Sequence, residues 1–201
     1  MQPSTNPILF DQQTISDEWI DQLYPIKLQK LSGTHWTPVE VAKKAISFLT
    51  EGERLRVLDL GSGSGKFCLV AASLCKDAQL IGVEQQENLV HLSRKIAAGL
   101  QLENLTFVHS DLLDLDFSQY DSFYFFNAFE ELINFKDRVD KSKELDEITH
   151  QTHIQLLRRK FEQTPPNTRI VTYCGECAEI PYSFALVRSS NKGKLKFWEK
   201  R

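Results

Sequence analysis

Apolar positions repeat at two periods along this chain, and the switch between them outlines its elements. Residues 16–31 carry Trp19, Ile20, Leu23, Ile26, Leu28 and Leu31 at helical spacing, interrupted near Pro25. After the loop Ser32-Gly33-Thr34-His35-Trp36, the run Thr37-Pro38-Val39-Glu40 reads as a capping box. Thr37 is then the N-cap, Pro38 the first helical residue and Glu40 the side chain that reaches back. That helix runs to about Leu49 and closes at the Gly52 turn. From Arg56 onward short apolar runs alternate with helices. The pattern predicts strands over 56–60, 79–84, 105–108, 122–126 and 169–173, and helices over 66–74, 88–98 and 148–161. Near-continuous apolar strands separated by helices predict a parallel sheet covered on both faces. The end differs in kind: residues 184–188 and 194–198 flank a turn at Ser190-Asn191-Lys192-Gly193, an antiparallel hairpin. The expected class is α/β, three layers around a mostly parallel sheet. A helical extension over 1–50 caps a main domain over 51–201.

Composition narrows the class. The chain has 201 residues, 41% apolar and 25% charged, with 13 Phe and 3 Trp, enough to build one core and exclude general disorder. No apolar run approaches the ~18 residues of a membrane span, and MQPSTNPILF lacks the basic and apolar regions of a signal peptide. The expectation is a soluble cytoplasmic protein without a membrane partner. The net charge of -3 is unevenly placed, because residues 157–201 hold ten Lys/Arg against four Glu. Those charges are interspersed with apolar residues, as on a solvated hairpin surface. Cys68 and Cys75, seven apart on a helix, are expected to share a face and pack as small hydrophobes. Cys174-Gly175-Glu176-Cys177 follows a strand, whereas redox pairs of the thioredoxin kind open a helix. Pairing it with His150 and His153 for zinc requires a spacing shorter than usual, so no metal is expected.

The strongest chemical signal is Asp59-Leu60-Gly61-Ser62-Gly63-Ser64-Gly65, at a strand-to-helix turn. Alternating glycines let backbone approach a ligand where a Cβ would intrude. A nucleoside-triphosphate loop is excluded twice: Leu60 stands at its first glycine and Phe67 at its magnesium-binding hydroxyl. The dinucleotide fingerprint is weakened, since Lys66 occupies its third glycine and an acidic residue beside the loop would repel a pyrophosphate. The remaining pattern, Asp-x-Gly-x-Gly-x-Gly, resembles the class I S-adenosylmethionine-dependent methyltransferases over roughly residues 55–201, terminal hairpin included. That resemblance implies a Rossmann-like fold and S-adenosyl-L-methionine as cofactor. The cofactor's amine and sulfonium are cationic, which makes the Asp59 carboxylate favourable.

Further positions take their roles from the resemblance. Gly61, Ser62, Gly63 and Gly65 would hold the methionine portion. Glu84, with Gln85 beside it, ends the second strand where the family binds the ribose hydroxyls. Asp111, with Leu112, follows the third strand at the adenine position, although an Asp there is equally a turn or N-cap residue. Phe126-Asn127-Ala128-Phe129 follows the fourth strand, where methyl group and acceptor meet. Asn127 and Phe129 are similar to the adenine amino-methyltransferase turn, but its proline pair is absent; the Asn turn is also similar to that of class I histone-lysine methyltransferases. Thr34-His35-Trp36-Thr37-Pro38 resembles the segment that closes over the methionine end in several nucleic-acid amino methyltransferases. Trp36 either screens the sulfonium or packs the N-terminal helix onto the core, with Thr37 beside it. His35 is the general-base candidate, Asn127 the other catalytic candidate, and His35, Trp36 and Phe129 face the acceptor. Residues 127–147, long and charged, read as a substrate lid or partner surface, with a plain excursion as the alternative. The acceptor is a protein side chain, a small molecule or RNA, with nitrogen favoured. Rival readings are a non-catalytic cofactor-binding module and an NAD(P)-dependent oxidoreductase.

Overall fold

A computed structural model describes residues 15–30, 32–52, 55–126 and 147–201. Three short helices come first: α1 (Asp17–Asp21), α2 (Ile26–Gln29) and α3 (Ser32–His35). They lead into α4 (Val39–Leu49), then β1 (Arg56–Leu60), α5 (Lys66–Leu74), β2 (Gln79–Glu84), α6 (Glu87–Gly99) and β3 (Leu105–His109). After β4 (Ser122–Phe125) come α7 (Glu147–Glu162), β5 (Arg169–Tyr173), β6 (Phe184–Ser190) and β7 (Leu195–Lys200). The strands form one seven-stranded sheet in the order β3-β2-β1-β4-β5-β7-β6. β3 through β5 are parallel neighbours, while β7 runs antiparallel to both β5 and β6. Strand order reverses between β1 and β4, so the crevice for a ligand opens at their carboxyl ends.

Side-chain alternation divides the core into two layers. Phe107, Gly82, Asp59, Tyr124, Val171 and Phe197 lie in register across the sheet on one face. That face packs against apolar residues of α4, α5 and α6 and of the N-terminal segment, including Ile20, Tyr24, Trp36, Ile46, Phe67 and Val90. Leu58, Leu60, Val83, Phe123 and Ile170 face the other way, onto Leu157 and Phe161 of α7 and onto Phe117. Glycine at 82 makes room for Phe107, because a Cβ there would stand 2.7 Å from the ring. The same ring lies 2.6 Å from where a Cβ on Gly65 would stand. Phe107 therefore ties β3 to the loop that follows β1.

Several local expectations are corrected. The capping box does not form: Pro38, with extended backbone (φ -60°, ψ 145°), is the N-cap, and Val39 is the first helical residue. Glu40 pairs instead with Lys43 at 2.8 Å. The Val39 amide, which has no acceptor within its own helix, donates to the Asp17 carboxylate at 3.0 Å, so the cap comes from α1. Thr37 turns its hydroxyl to the Tyr124 phenol, 2.8 Å away. Cys75, the C-cap of α5, packs against the same apolar cluster as Cys68, as expected, but Cys68 also donates a hydrogen bond to Asp59. Nor is the basic end wholly solvated. Lys200 is buried and donates to the Glu162 carbonyl at 2.6 Å, closing the C-terminal end of α7. Among the described residues, no helix is long and apolar enough to cross a membrane, and no group of three or more His, Cys, Asp or Glu is placed to hold a metal ion.

Candidate functional site

The loop after β1 is shaped by backbone that favours glycine: Gly61, Gly63 and Gly65 all have positive φ (72°, 54° and 83°). Its turn is closed by Ser62 N donating to Val83 O and by Gly65 N donating to Ser62 O, both at 2.8 Å. Glu84, at the end of β2, reaches across to the loop. One carboxylate oxygen accepts from Gly63 N at 3.0 Å and the other from Gln86 N at 2.8 Å. A carboxylate has about four lone-pair sites, so two backbone donors leave it able to accept further hydrogen bonds from a ligand. Ser110 N, after β3, donates to Glu84 O at 3.2 Å, and the His109 ring donates to Gln85 O at 3.0 Å. The loops after β1, β2 and β3 are thus joined by hydrogen bonds at one edge of the crevice.

Asp111 is the N-cap of a short 3-10 turn, its carboxylate accepting from Leu113 N at 2.8 Å; Leu112 is buried in the core. Gln85 is exposed at the rim. Asp59 lies deeper, below the glycine loop, 4% exposed. Burial raises its carboxyl pKa to about 7, the nearby Glu84 charge adds to the rise, and the Cys68 hydrogen bond (3.2 Å) opposes it. Burial also pushes the Cys68 thiol well above its usual range, which keeps it a donor.

The N-terminal segment covers the loop from the α5 side. Tyr24 donates its hydroxyl to Ser64 O at 3.0 Å. Lys66, the first residue of α5, is 3% exposed, with Nζ 2.6 Å from Asp17 and 2.7 Å from Asp21. Trp36 is buried and packs at 4.4 Å on Tyr24, and its ring lies 5.5 Å from Lys66 Nζ. His35 is half-buried at the end of α3, and Thr37 is held by Tyr124. Asn127 and Phe129 lie outside the described residues, as does most of the 127–147 connection. Phe126, just before them, packs edge-on against Tyr173 at 4.9 Å. The structure therefore brings Gly61 through Gly65, Glu84 and Asp111 into one rim, with Asp59 beneath it and residues 35–37 at the segment that covers it.

Sequence reasoning missed Lys66, Asp17, Asp21 and Tyr24. Asp17 and Asp21 were legible as one face of a helix, four residues apart, but nothing local named their cation. The loop also presents polar groups with no protein partner. Ser62 Oγ and Ser64 Oγ are buried without a hydrogen bond, and the direction a Gly63 side chain would take is open for at least 4 Å. Unpaired buried hydroxyls are costly, and a polar ligand on the loop would pair them. With carboxylates at Glu84 and Asp59 and no free cation on the loop, the donor set suits a ligand that is cationic and rich in hydroxyls, not a pyrophosphate.

The sequence of residues 51–163, more than half of the chain, matches the family described as "Methyltransferase domain". The chain belongs to this family. Curated relatives include a release factor glutamine methyltransferase of Buchnera aphidicola, 34% identical over 70 residues, covering 35% of this chain and 25% of the relative. A tRNA (guanine-N(7)-)-methyltransferase of Prochlorococcus marinus is 36% identical over 101 residues, 45% of this chain and 47% of the relative. This methyltransferase-family chain thus spans less than half the length of the curated relatives it matches. Among solved structures, an RNA methyltransferase from Salinibacter ruber in complex with S-adenosyl-L-homocysteine superposes with a TM-score of 0.55. It is 22% identical, and the match covers 82% of this chain and 92% of that one. TrmN from Thermus thermophilus gives a TM-score of 0.61 at 17% identity, over 87% of this chain and 52% of that one. These likenesses show the class I methyltransferase fold, with its seven-stranded sheet and terminal hairpin.

Proposed function

We propose that this chain is an S-adenosylmethionine-dependent methyltransferase acting on a nitrogen acceptor, with a protein side chain the favoured class. The observation that carries the cofactor assignment is the Glu84 carboxylate bound to Gly63 N beside two buried serine hydroxyls that lack partners. In this reading Gly61 to Gly65 hold the methionine portion, Glu84 accepts from the ribose hydroxyls, and Asp111 takes the adenine amine. Asp59, held near pKa 7 by burial, is drawn to its charged form by the cationic end of the cofactor. Residues 1–50 form the cap and 51–201 the cofactor-binding domain.

When bound, the cofactor supplies an electrophilic methyl carbon on a sulfonium leaving group. The residues of the chain bind it, orient it and exclude water, and in-line positioning supplies much of the rate. The covering segment with Trp36 walls off one side of the crevice. Asn127 orients the acceptor nitrogen and His35 is the candidate for taking its proton. The acceptors named for the relatives include a glutamine in a release factor, N7 of a tRNA guanine and C5 of a 23S rRNA uracil. The first two carry nitrogen and the third is carbon, so the nitrogen preference rests on the Asn127 turn.

Calorimetric titration with S-adenosylhomocysteine tests the assignment, with NAD and the Glu84→Ala variant as controls. Micromolar binding that is lost in the variant and absent for NAD is the expected result. Transfer of labelled methyl from the cofactor to peptide, RNA or small-molecule pools then identifies the acceptor. A folded protein that ignores S-adenosylhomocysteine overturns the reading, and binding without transfer to any pool favours a non-catalytic module.

A further inference from the structure

Residues 15–36 form a cover whose own secondary structure cannot hold it in place. Its helices have five, four and four residues, far below the ~12–15 at which isolated helices become even marginal. It stays closed through tertiary ties, and these converge on the junction of the glycine loop with α5. Tyr24 grips the Ser64 carbonyl, and Lys66, two residues on, takes Asp17 and Asp21. Ser32 Oγ donates to Asp21 and lies 3.5 Å from Lys66 Nζ, bringing α3 into the same cluster. Asp17 also caps α4 at Val39, so one carboxylate joins the cover, α4 and α5.

Resting on the cofactor reading above, we propose that Lys66 is a positioning residue. Its ion pairs with Asp17 and Asp21 latch residues 15–36 over the glycine loop, and latch closure and cofactor occupancy strengthen one another. The coupling runs through Ser64. Its carbonyl is held by the cover while its buried hydroxyl faces no protein partner. A ligand that engages the hydroxyl fixes the same residue the cover grips. Because binding free energies are reciprocal, whatever closure adds to cofactor affinity, the cofactor adds to closure. Lys66 itself reaches no reacting atom, since its ammonium is enclosed by the two aspartates, Ser32 and the Trp36 ring.

Among the ties of the described residues, the two ion pairs of Lys66 are the ionic ones, and of their groups the ammonium is the buried one. Asp17 and Asp21 are 42% and 19% exposed, so removing the cation leaves them access to water, whereas removing both acids strands a buried ammonium. Lys66→Met is therefore the variant expected to fold with the cover loosened. Asp21→Asn and Tyr24→Phe each weaken one tie in a milder way.

The test measures hydrogen exchange across 15–36 and S-adenosylhomocysteine affinity on the full chain, for wild type, Lys66→Met, Lys66→Arg, Asp21→Asn and Tyr24→Phe. In wild type, S-adenosylhomocysteine should slow exchange in the cover. In Lys66→Met the unliganded cover should exchange fast. If its closed fraction falls to about a tenth, affinity falls about tenfold, since apparent affinity scales with the competent fraction. Saturating ligand should then restore protection, and the cofactor KM should rise while kcat holds. Lys66→Arg should recover part of the affinity, and the two milder variants should shift both readouts together by a smaller factor. Wild-type binding with Lys66→Met, Asp21→Asn and Tyr24→Phe unchanged overturns the latch and leaves the cofactor reading intact. A cover whose exchange ignores bound ligand overturns it too. Failure of wild type to bind S-adenosylhomocysteine removes the cofactor reading, and the coupling with it.

Discussion

Asp59→Asn isolates the electrostatics under the glycine loop. Asp59 is the only charged side chain in the row that crosses the sheet from Phe107 to Phe197, and its neighbours in that row on β2 and β4 are Gly82 and Tyr124. With no cation paired to it, burial holds its pKa at about 7 against an ordinary value of 3.8. The folded chain therefore keeps a proton that the unfolded chain releases between about pH 4 and 7. Stability falls as pH rises through that window, because the native state binds the extra proton. The gap of about three pKa units corresponds to at most about 4 kcal/mol, at 1.36 kcal/mol per unit. Asparagine cannot ionise. Its carbonyl oxygen can still accept from Cys68, and any cost of its added NH2 is the same at every pH. Thermal unfolding of both ligand-free proteins at pH 5, 6, 7 and 8 gives the comparison. The difference in stability should move in favour of the variant with rising pH. Between pH 5 and 8 about two of those units are sampled, roughly 3 kcal/mol, which corresponds to about 5–10 °C in Tm at 2–4 °C per kcal/mol for a chain of this size. A difference in Tm that stays constant from pH 5 to 8 would refute the reasoning, since it would mean that Asp59 is equally ionised in folded and unfolded chains.

Four other predictions concern the same region. Glu84→Gln removes the charge and sets an amide NH2 against one of its two backbone donors, Gly63 N or Gln86 N; it should cost about 1–3 kcal/mol of stability and lower S-adenosylhomocysteine affinity about tenfold, equivalent to about 1.4 kcal/mol, by thermal melt and calorimetry. Gly65→Ala places a Cβ 2.6 Å from Phe107 at a φ of 83°, so it should cost several kcal/mol, more than the roughly 1–2 kcal/mol of left-handed strain alone. Gly63→Ala meets open space and should cost only that strain in denaturant titrations, while weakening ligand binding beyond it. Thr37→Val should cost about 1–3 kcal/mol by leaving the buried Tyr124 hydroxyl unpaired, and adding Tyr124→Phe should recover part of that loss in a double-mutant cycle.

What was legible in the sequence is what local pattern controls. β1, β2, α5 and β5 match their expected limits, because each is a short apolar run bounded by glycine, proline or polar turns. The terminal hairpin was legible for the same reason, though its strands run further, to Ser190 and Lys200. The glycine loop and the acidic end of β2 were legible as residues. Their junction through Gly63 N was not, since it depends on the parallel pairing of β1 with β2.

Capping failed where tertiary contact overrode local chemistry. Thr37 has the composition of an N-cap, but the buried Tyr124 hydroxyl needs a partner, and leaving it unpaired would cost more than a typical cap supplies. With Thr37 taken, the α4 terminus recruits Asp17 from 22 residues away. That capture also explains why Lys66 was read only as an obstacle to a dinucleotide. Its significance lies in carboxylates 45 and 49 positions earlier, on a helix that forms only when docked. A five-residue helix has no stability of its own to advertise, so the sequence carries its apolar face but not its destination. The cover over the loop is thus the part of this fold least written in local pattern, and it is the part on which the proposed latch depends.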